Sequence, residues 1–171
     1  MSFPFQDDSH PIEERVADVM SRMTLDDKLA QLVSRYVYEL HSSNELDDVK
    51  AKEKDPDGNG HISRIGGSSS LDPAGVARIA NSIQRYLVDN TRLGIPALVH
   101  EECFAGYMAR GGTNYPHGIA VGATWDPSVP RAMGTAIARQ VREGGAHQGL
   151  APVLDVCRDP RWGRVEETAG E

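Results

Sequence analysis

The sequence predicts an α/β fold built on a parallel sheet, open or closed, and three observations carry that reading. Short apolar runs of strand length alternate with amphipathic segments of roughly 10–20 residues. Two Asp-Pro pairs, Asp72-Pro73 and Asp126-Pro127, each open a helical pattern in the same way. Charged and aromatic residues gather directly after the two clearest strand candidates, where parallel α/β folds meet their ligands.

The elements follow in order. In residues 1–38, a helical segment, Ile12, Val16, Val19, Met20 and Met23 recur on one helical face, with Pro11 near the start. Thr24 restarts the pattern as an N-cap, with Asp26 and Asp27 in a first turn that the helix dipole favours. Leu25, Leu29, Leu32 and Val33 give the next apolar face. Residues 39–60 crowd acidic and lysine side chains around Asp55-Pro56-Asp57-Gly58-Asn59-Gly60, and read as a solvated loop or short surface helix without activity. Residues 61–171 read as βα units. His61–Ile65 forms a short strand, and Asp72-Pro73 opens a helix bearing Val76, Ile79, Ala80, Ile83 and Leu87, with Gly94 ending the unit. Ile95–Val99 forms the next strand, entering His100-Glu101-Glu102. Asp126-Pro127 opens a helix with Val129, Met133, Ile137 and Val141, stopped at Gly144-Gly145. Leu150–Val156 forms the last strand, kept despite Pro152 because the flanking helices fit.

Composition narrows the function. The 171 residues suit one domain, with 39% hydrophobic and 25% charged residues, the balance of a globular chain. A net charge of −7 with scattered basic residues argues against a nucleic-acid or anionic-membrane surface. The first residues lack a basic and apolar leader, and no apolar run nears ~18 residues, so the cytoplasm is the expected location. Cys103 and Cys157 are expected as reduced, buried thiols at strand ends. A metal set of His100, Cys103, His147 and Cys157 matches no zinc spacing, so no metal or other cofactor is expected. No G-x-G-x-x-G follows the first strand and no Walker A motif is present, which weakens a nucleotide reading.

His100, Glu101 and Glu102 follow one strand, and Arg158, Asp159, Arg161, Trp162, Arg164, Glu166 and Glu167 follow the other. Carboxylates accept from hydroxyls, a guanidinium donates in a fixed fork, and an indole can cover a C–H surface, a set that suits a neutral polyhydroxylated ligand. The plainer alternative is that these groups form ion pairs along the rim.

Several segments in order resemble glycoside hydrolase family 3: Met23–Lys28, Arg92–Pro96, His100–Gly106, Gly122–Pro127, and most strongly Ala151–Thr168. The resemblance covers most of the chain except the acidic stretch near 45–58. It implies the N-terminal part of a (β/α)8 barrel, incomplete in these residues, and retaining hydrolysis of β-linked glucosides or xylosides by two carboxyl groups about 5 Å apart. Glu102 stands at the place of the family's acidic residue that holds sugar hydroxyls in the −1 subsite, where Asp is frequent and Glu resembles the xylosidase branches. Arg164 stands at the place of its sugar-binding arginine. The family's Lys-His pair, nucleophilic Asp and acid/base match nothing here, so no catalytic residue is assigned, and Glu101, Glu102, Glu166 and Glu167 are not expected to replace them.

A whole barrel needs roughly 250 residues, so a partial sequence or split gene is expected, its partners a carbohydrate and the remainder of the barrel. The 171 residues alone are expected to be unstable and inactive on aryl β-glucosides, because a strand edge and apolar faces would stay uncovered. Two alternatives remain: a sugar- or partner-binding module without catalysis, and a metal-dependent hydrolase, which stoichiometric zinc would reveal.

Overall fold

The computed structural model describes residues 3–170. Helix α1 (Ile12–Arg22) carries the expected apolar stripe, yet Ile12, Val16 and Met20 all remain exposed. Helix α2 (Leu25–Ala30) starts with a capping box, in which Thr24 and Asp27 satisfy each other's backbone N–H groups. The helical pattern read through Val33 stops at Ala30, and Ser34–Tyr36 forms a strand, β1. That correction has a simple cause: Ser-Arg-Tyr has no apolar alternation, and only pairing with another strand makes it extended.

Residues 39–60 are more structured than a wet surface. A small antiparallel hairpin, β2 (His41–Ser42) and β3 (Glu45–Leu46), precedes helix α3 (Asp48–Lys54). Asp55 and Asn59 are buried, and Asp55 accepts from Arg35 Nε (3.0 Å) and Asn59 Nδ2 (3.1 Å). These two polar residues anchor the turn beneath β1 and are not solvated charge. A short helix does form, as one of the two expectations held.

Strand β4 (His61–Ser63) leads to helix α4 (Pro73–Asn90), where Asp72 caps Gly75 N–H at 2.7 Å and Pro73 fills the first turn. The helix ends at Asn90, before Gly94, whose positive φ of 63° turns the chain towards β5 (Leu98–Glu102). The strand therefore begins three residues later than the apolar run Ile95–Val99, and His100, Glu101 and Glu102 lie within it rather than after it. Pro96 has no N–H for a ladder, which disfavours the earlier start.

Helix α5 (Gly118–Gly122) precedes α6 (Ser128–Glu143), which ends at Gly144 as expected. The last strand, β6, is Gln148–Leu150. Residues 151–159 take no sheet pairing, so the Leu150–Val156 strand is corrected: β6 ends where that apolar run begins. Among the described residues β6 is also the sheet's outer strand, leaving 151–156 no ladder on that side.

The main sheet runs β1-β4-β5-β6, all parallel, with neighbours in chain order apart from the hairpin. Helices connect successive strands, the arrangement of repeated βαβ units. Ile62 and Val99 pack with Val76, Ile79, Ile83 and Leu87 of α4 in one core. The opposite face, in register, presents His61, Ser63, Leu98, His100, Glu102, Gln148 and Leu150.

Candidate functional site

Strand β5 sends its two carboxylates to opposite faces, as adjacent strand residues must. Val99 and Glu101 face the core side, whereas His100 and Glu102 face the open side of the sheet. His100 Nε2 lies 3.0 Å from Ser63 Oγ, and its ring centroid is 6.2 Å from that of His61. Burial lowers the His100 pKa and nearby His61 lowers it further, against an opposing pull from Glu102, so the imidazole is held towards its neutral form. The open face thus carries a polar row ending in the half-buried Glu102 at the carboxyl end of β5.

Arg164 lies in the loop after β6 and donates to Glu167 Oε2 through Nε at 3.0 Å. That hydrogen bond raises the guanidinium pKa, and the charges of Glu102 and Asp155 add to the effect. Glu167 is correspondingly lowered, first by Arg164, and its site also senses His117. Arg164 Nη2 donates to the same Glu167 oxygen, and with the side chain 58% exposed the remaining nitrogen, Nη1, is open to a ligand. Arg161 pairs with Asp159 in the same loop, the guanidinium exposed and the carboxylate partly so. The ion pairs expected of a plain rim are therefore real, and Arg164 also reaches the electrostatic field of Glu102.

Chemically, this end of the sheet offers an accepting carboxylate, a donating guanidinium and a neutral histidine–serine pair. Such a set can hold hydroxyl groups. It does not present two facing carboxylates among Glu101, Glu102, Glu166 and Glu167: Glu101 is turned into the core, Glu167 is held by Arg164, and Glu166 is exposed within the short turn Val165–Glu167. Among the described residues no three His, Cys, Asp or Glu side chains form a metal-holding group. His147 Nδ1 accepts from Val99 N–H at 3.1 Å, tying that ring to the backbone. Cys103 and Cys157 are free and buried, and burial, with Glu101 and Glu102 nearby, pushes the Cys103 thiol up to about 11, away from the reactive thiolate.

His61 and Ser63 escaped the sequence reading. Their signal was present as polar residues at every second position, in step with His100 and Glu102, but it becomes visible only once the strand register is known. A groove of about 950 Å³ lies beside the site, lined by Cys103, Met133, Ile137, Val141, Leu154 and other mainly apolar residues, with Asp155 and Glu167 at its polar side. Its mainly apolar lining differs from the polar face at Glu102, so its size does not identify it as the hydroxyl-binding site.

Comparison with known proteins identifies the family and the fold. The family model described as the Glycosyl hydrolase family 3 N terminal domain matches residues 24–171. The chain is 28% identical to a periplasmic beta-glucosidase/beta-xylosidase of Dickeya chrysanthemi, over 98% of this chain and 27% of that protein. It is also 28% identical to beta-glucosidase C of Emericella nidulans, over 98% of this chain and 28% of that protein. The structure of a β-glucosidase from Erythrobacter marinus superposes with a TM-score of 0.86 at 34% identity, covering 99% of this chain and 22% of that one. A Listeria innocua β-glucosidase, solved in complex with isofagomine, gives a TM-score of 0.69 at 34% identity, over 92% of this chain and 20% of that one. The chain thus spans about a quarter of the length of the curated relatives it matches. With the parallel βα sheet, the polar row at its carboxyl end and these matches together, the chain belongs to glycosyl hydrolase family 3, in the N-terminal barrel domain.

Proposed function

We propose that this chain forms one wall of the sugar pocket of a retaining β-glycosidase that releases terminal β-linked glucose or xylose. Glu102 and Arg164 bind sugar hydroxyls in the −1 subsite, and the nucleophile and acid/base come from outside residues 1–171. The observation that carries this reading is the place of Glu102, half-buried on the open polar face at the carboxyl end of β5, with the exposed Arg164 in the loop that follows the neighbouring strand β6. Ligands of parallel α/β folds sit at that end of the sheet. The open edge of β6 and the apolar groove beside α6 support a further part of the reading, that the rest of the barrel covers this side.

The test is steady-state kinetics of the complete enzyme on aryl β-glucosides and aryl β-xylosides. Glu102→Ala and Arg164→Ala should each lower kcat/KM by about 10- to 100-fold, the loss expected for hydrogen bonds to charged groups, without loss of fold. Near-normal kcat/KM in both variants would remove the assignment. The 171-residue chain alone should give no turnover of either substrate, and robust hydrolysis by it would overturn the division of roles.

A further inference from the structure

The carboxylate next to Glu102 in sequence has a different environment. Glu101 is 1% exposed, and its two oxygens accept from the N–H groups of Gly66 (2.7 Å) and Gly67 (3.2 Å), in the turn that follows β4. An ionised group this deeply buried persists only where hydrogen bonds and charge compensate its lost hydration. Here burial raises the Glu101 pKa, while the two glycine amides and the nearby Arg64 charge pull it back.

The turn held by Glu101 leaves little space for movement. A Cβ on Gly66 would lie 2.4 Å from the Tyr107 hydroxyl and 2.6 Å from Ala109 Cβ, and one on Gly67 would lie 3.0 Å from Met108 O. The loop after β4 is thus pressed against the loop after β5. Backbone bonds reinforce this on both sides of Glu101: Arg64 N–H donates to His100 O at 2.8 Å, and Met108 N–H donates to Glu102 O at 3.1 Å. Arg64 itself has a φ of 56°, in the left-handed region that a branched or long side chain seldom enters. A residue in the left-handed region, one glycine with no room for a side chain, a second in tight contact and one buried carboxylate therefore meet immediately beside the proposed sugar-binding residue.

We propose that Glu101 is a positioning residue, which clamps the turn after β4 onto β5 and so sets the place of the Glu102 carboxylate for the sugar. The inference rests on the reading of Glu102 as a sugar-binding group. Glu101 touches no ligand in this account; it acts through the backbone bonds at His100 and Glu102 that flank it.

The experiment compares Glu101→Gln, Glu101→Asp and Glu102→Gln in the complete enzyme, measuring kcat and KM separately on an aryl β-glucoside and an aryl β-xyloside. The dissociation constants of free glucose and xylose are measured alongside, as is hydrogen–deuterium exchange at the Gly66 and Gly67 amides. Glu101→Gln should speed exchange at both amides by about 10-fold or more, the effect of losing a charge-assisted hydrogen bond. It should also raise KM and weaken binding of the monosaccharide cleaved. A role in stability alone would lower the active fraction, and with it apparent kcat, at unchanged KM. Unchanged KM and monosaccharide affinity in Glu101→Gln, with Glu102→Gln impaired, would overturn the clamp and leave the proposed function standing. Normal KM and affinity in Glu102→Gln would instead overturn the proposed function. Should Glu101→Gln not fold, Glu101→Asp keeps the charge but withdraws it by one methylene, and the same readouts apply. Gly66 and Gly67 amides that exchange at the speed of an exposed turn in the wild-type enzyme would also overturn the proposal.

Discussion

Helices α4 and α6 carry the same kind of amphipathic pattern, but only α4 is sealed. Val76, Ile79, Ala80, Ile83 and Leu87 are each 1% exposed, because β4 and β5 lie beneath them. In α6, Ile137 and Val141 are buried, while Val129 is exposed and Met133 only partly covered. The strand beside α6 is β6, the outer strand of the described sheet, and the chain after it leaves Leu154 84% exposed. Periodicity therefore states which face a helix would bury. Neighbouring elements decide whether it does, since hydrophobic stabilisation follows the area removed from water.

The largest expected effect that separates the two regions is a core truncation. Ile83→Ala should destabilise the complete enzyme by about 2–5 kcal/mol, whereas Val129→Ala, at an exposed position of α6 outside the groove, should cost no more than about 1 kcal/mol, both read by urea denaturation. Equal losses would break the comparison. A smaller effect concerns caps. Asp72→Ala removes the side chain that holds Gly75 N–H and should cost about 1 kcal/mol. No side chain of the N-cap residue Pro127 holds the start of α6, so a Pro127→Ala variant should change stability less.

Ion pairs sharpen the contrast further. The Arg92 guanidinium beside Asp27, in a partly enclosed site, holds that carboxyl near about 2 against an ordinary 3.8. A depressed folded pKa makes its stabilisation fully present above the unfolded value of about 3.8. It is lost as pH falls from there through about 2, and an acid titration followed by circular dichroism should show that loss steepened in wild type relative to Arg92→Ala. The Arg161–Asp159 pair lies in the open loop after β6. Exposed pairs of this kind contribute little, and Arg161→Ala should leave the thermal midpoint unchanged within error.

Legibility in the sequence followed local physics. Both long helices could be read because their apolar spacing is a local signal, and the Thr24 cap was equally plain. The two Asp-Pro pairs differ, since Asp72 and Pro73 are the N-cap and first residue of α4, whereas α6 starts one residue later, at Ser128, whose N–H Asp126 holds. The strands were harder. Apolar runs at 95–99 and 150–156 marked the neighbourhoods of β5 and β6 but not their bounds, since the paired residues include His100, Glu101, Glu102 and Gln148. Strand β1 has no apolar run at all and exists through its pairing with β4. Buried Asp55 was hidden inside a stretch whose overall charge resembled a surface, because its partner Arg35 lies 20 residues away.

The sequence by itself determined the alternation of strands and helices, the family, and the two residues to examine first, Glu102 and Arg164. Each of those is written in spacing or in a contiguous motif. Only the tertiary structure distinguished Glu101 from Glu102. They are the same residue type at adjacent positions, but successive strand side chains point to opposite faces. Glu101 is consequently closed in against Gly66 and Gly67, and Glu102 stands on the open polar face within reach of Arg164's field. What separates the buried carboxylate from the one on the open face is the packing of the loop after β4 and the layer of helices behind the sheet, and neither is local in the chain.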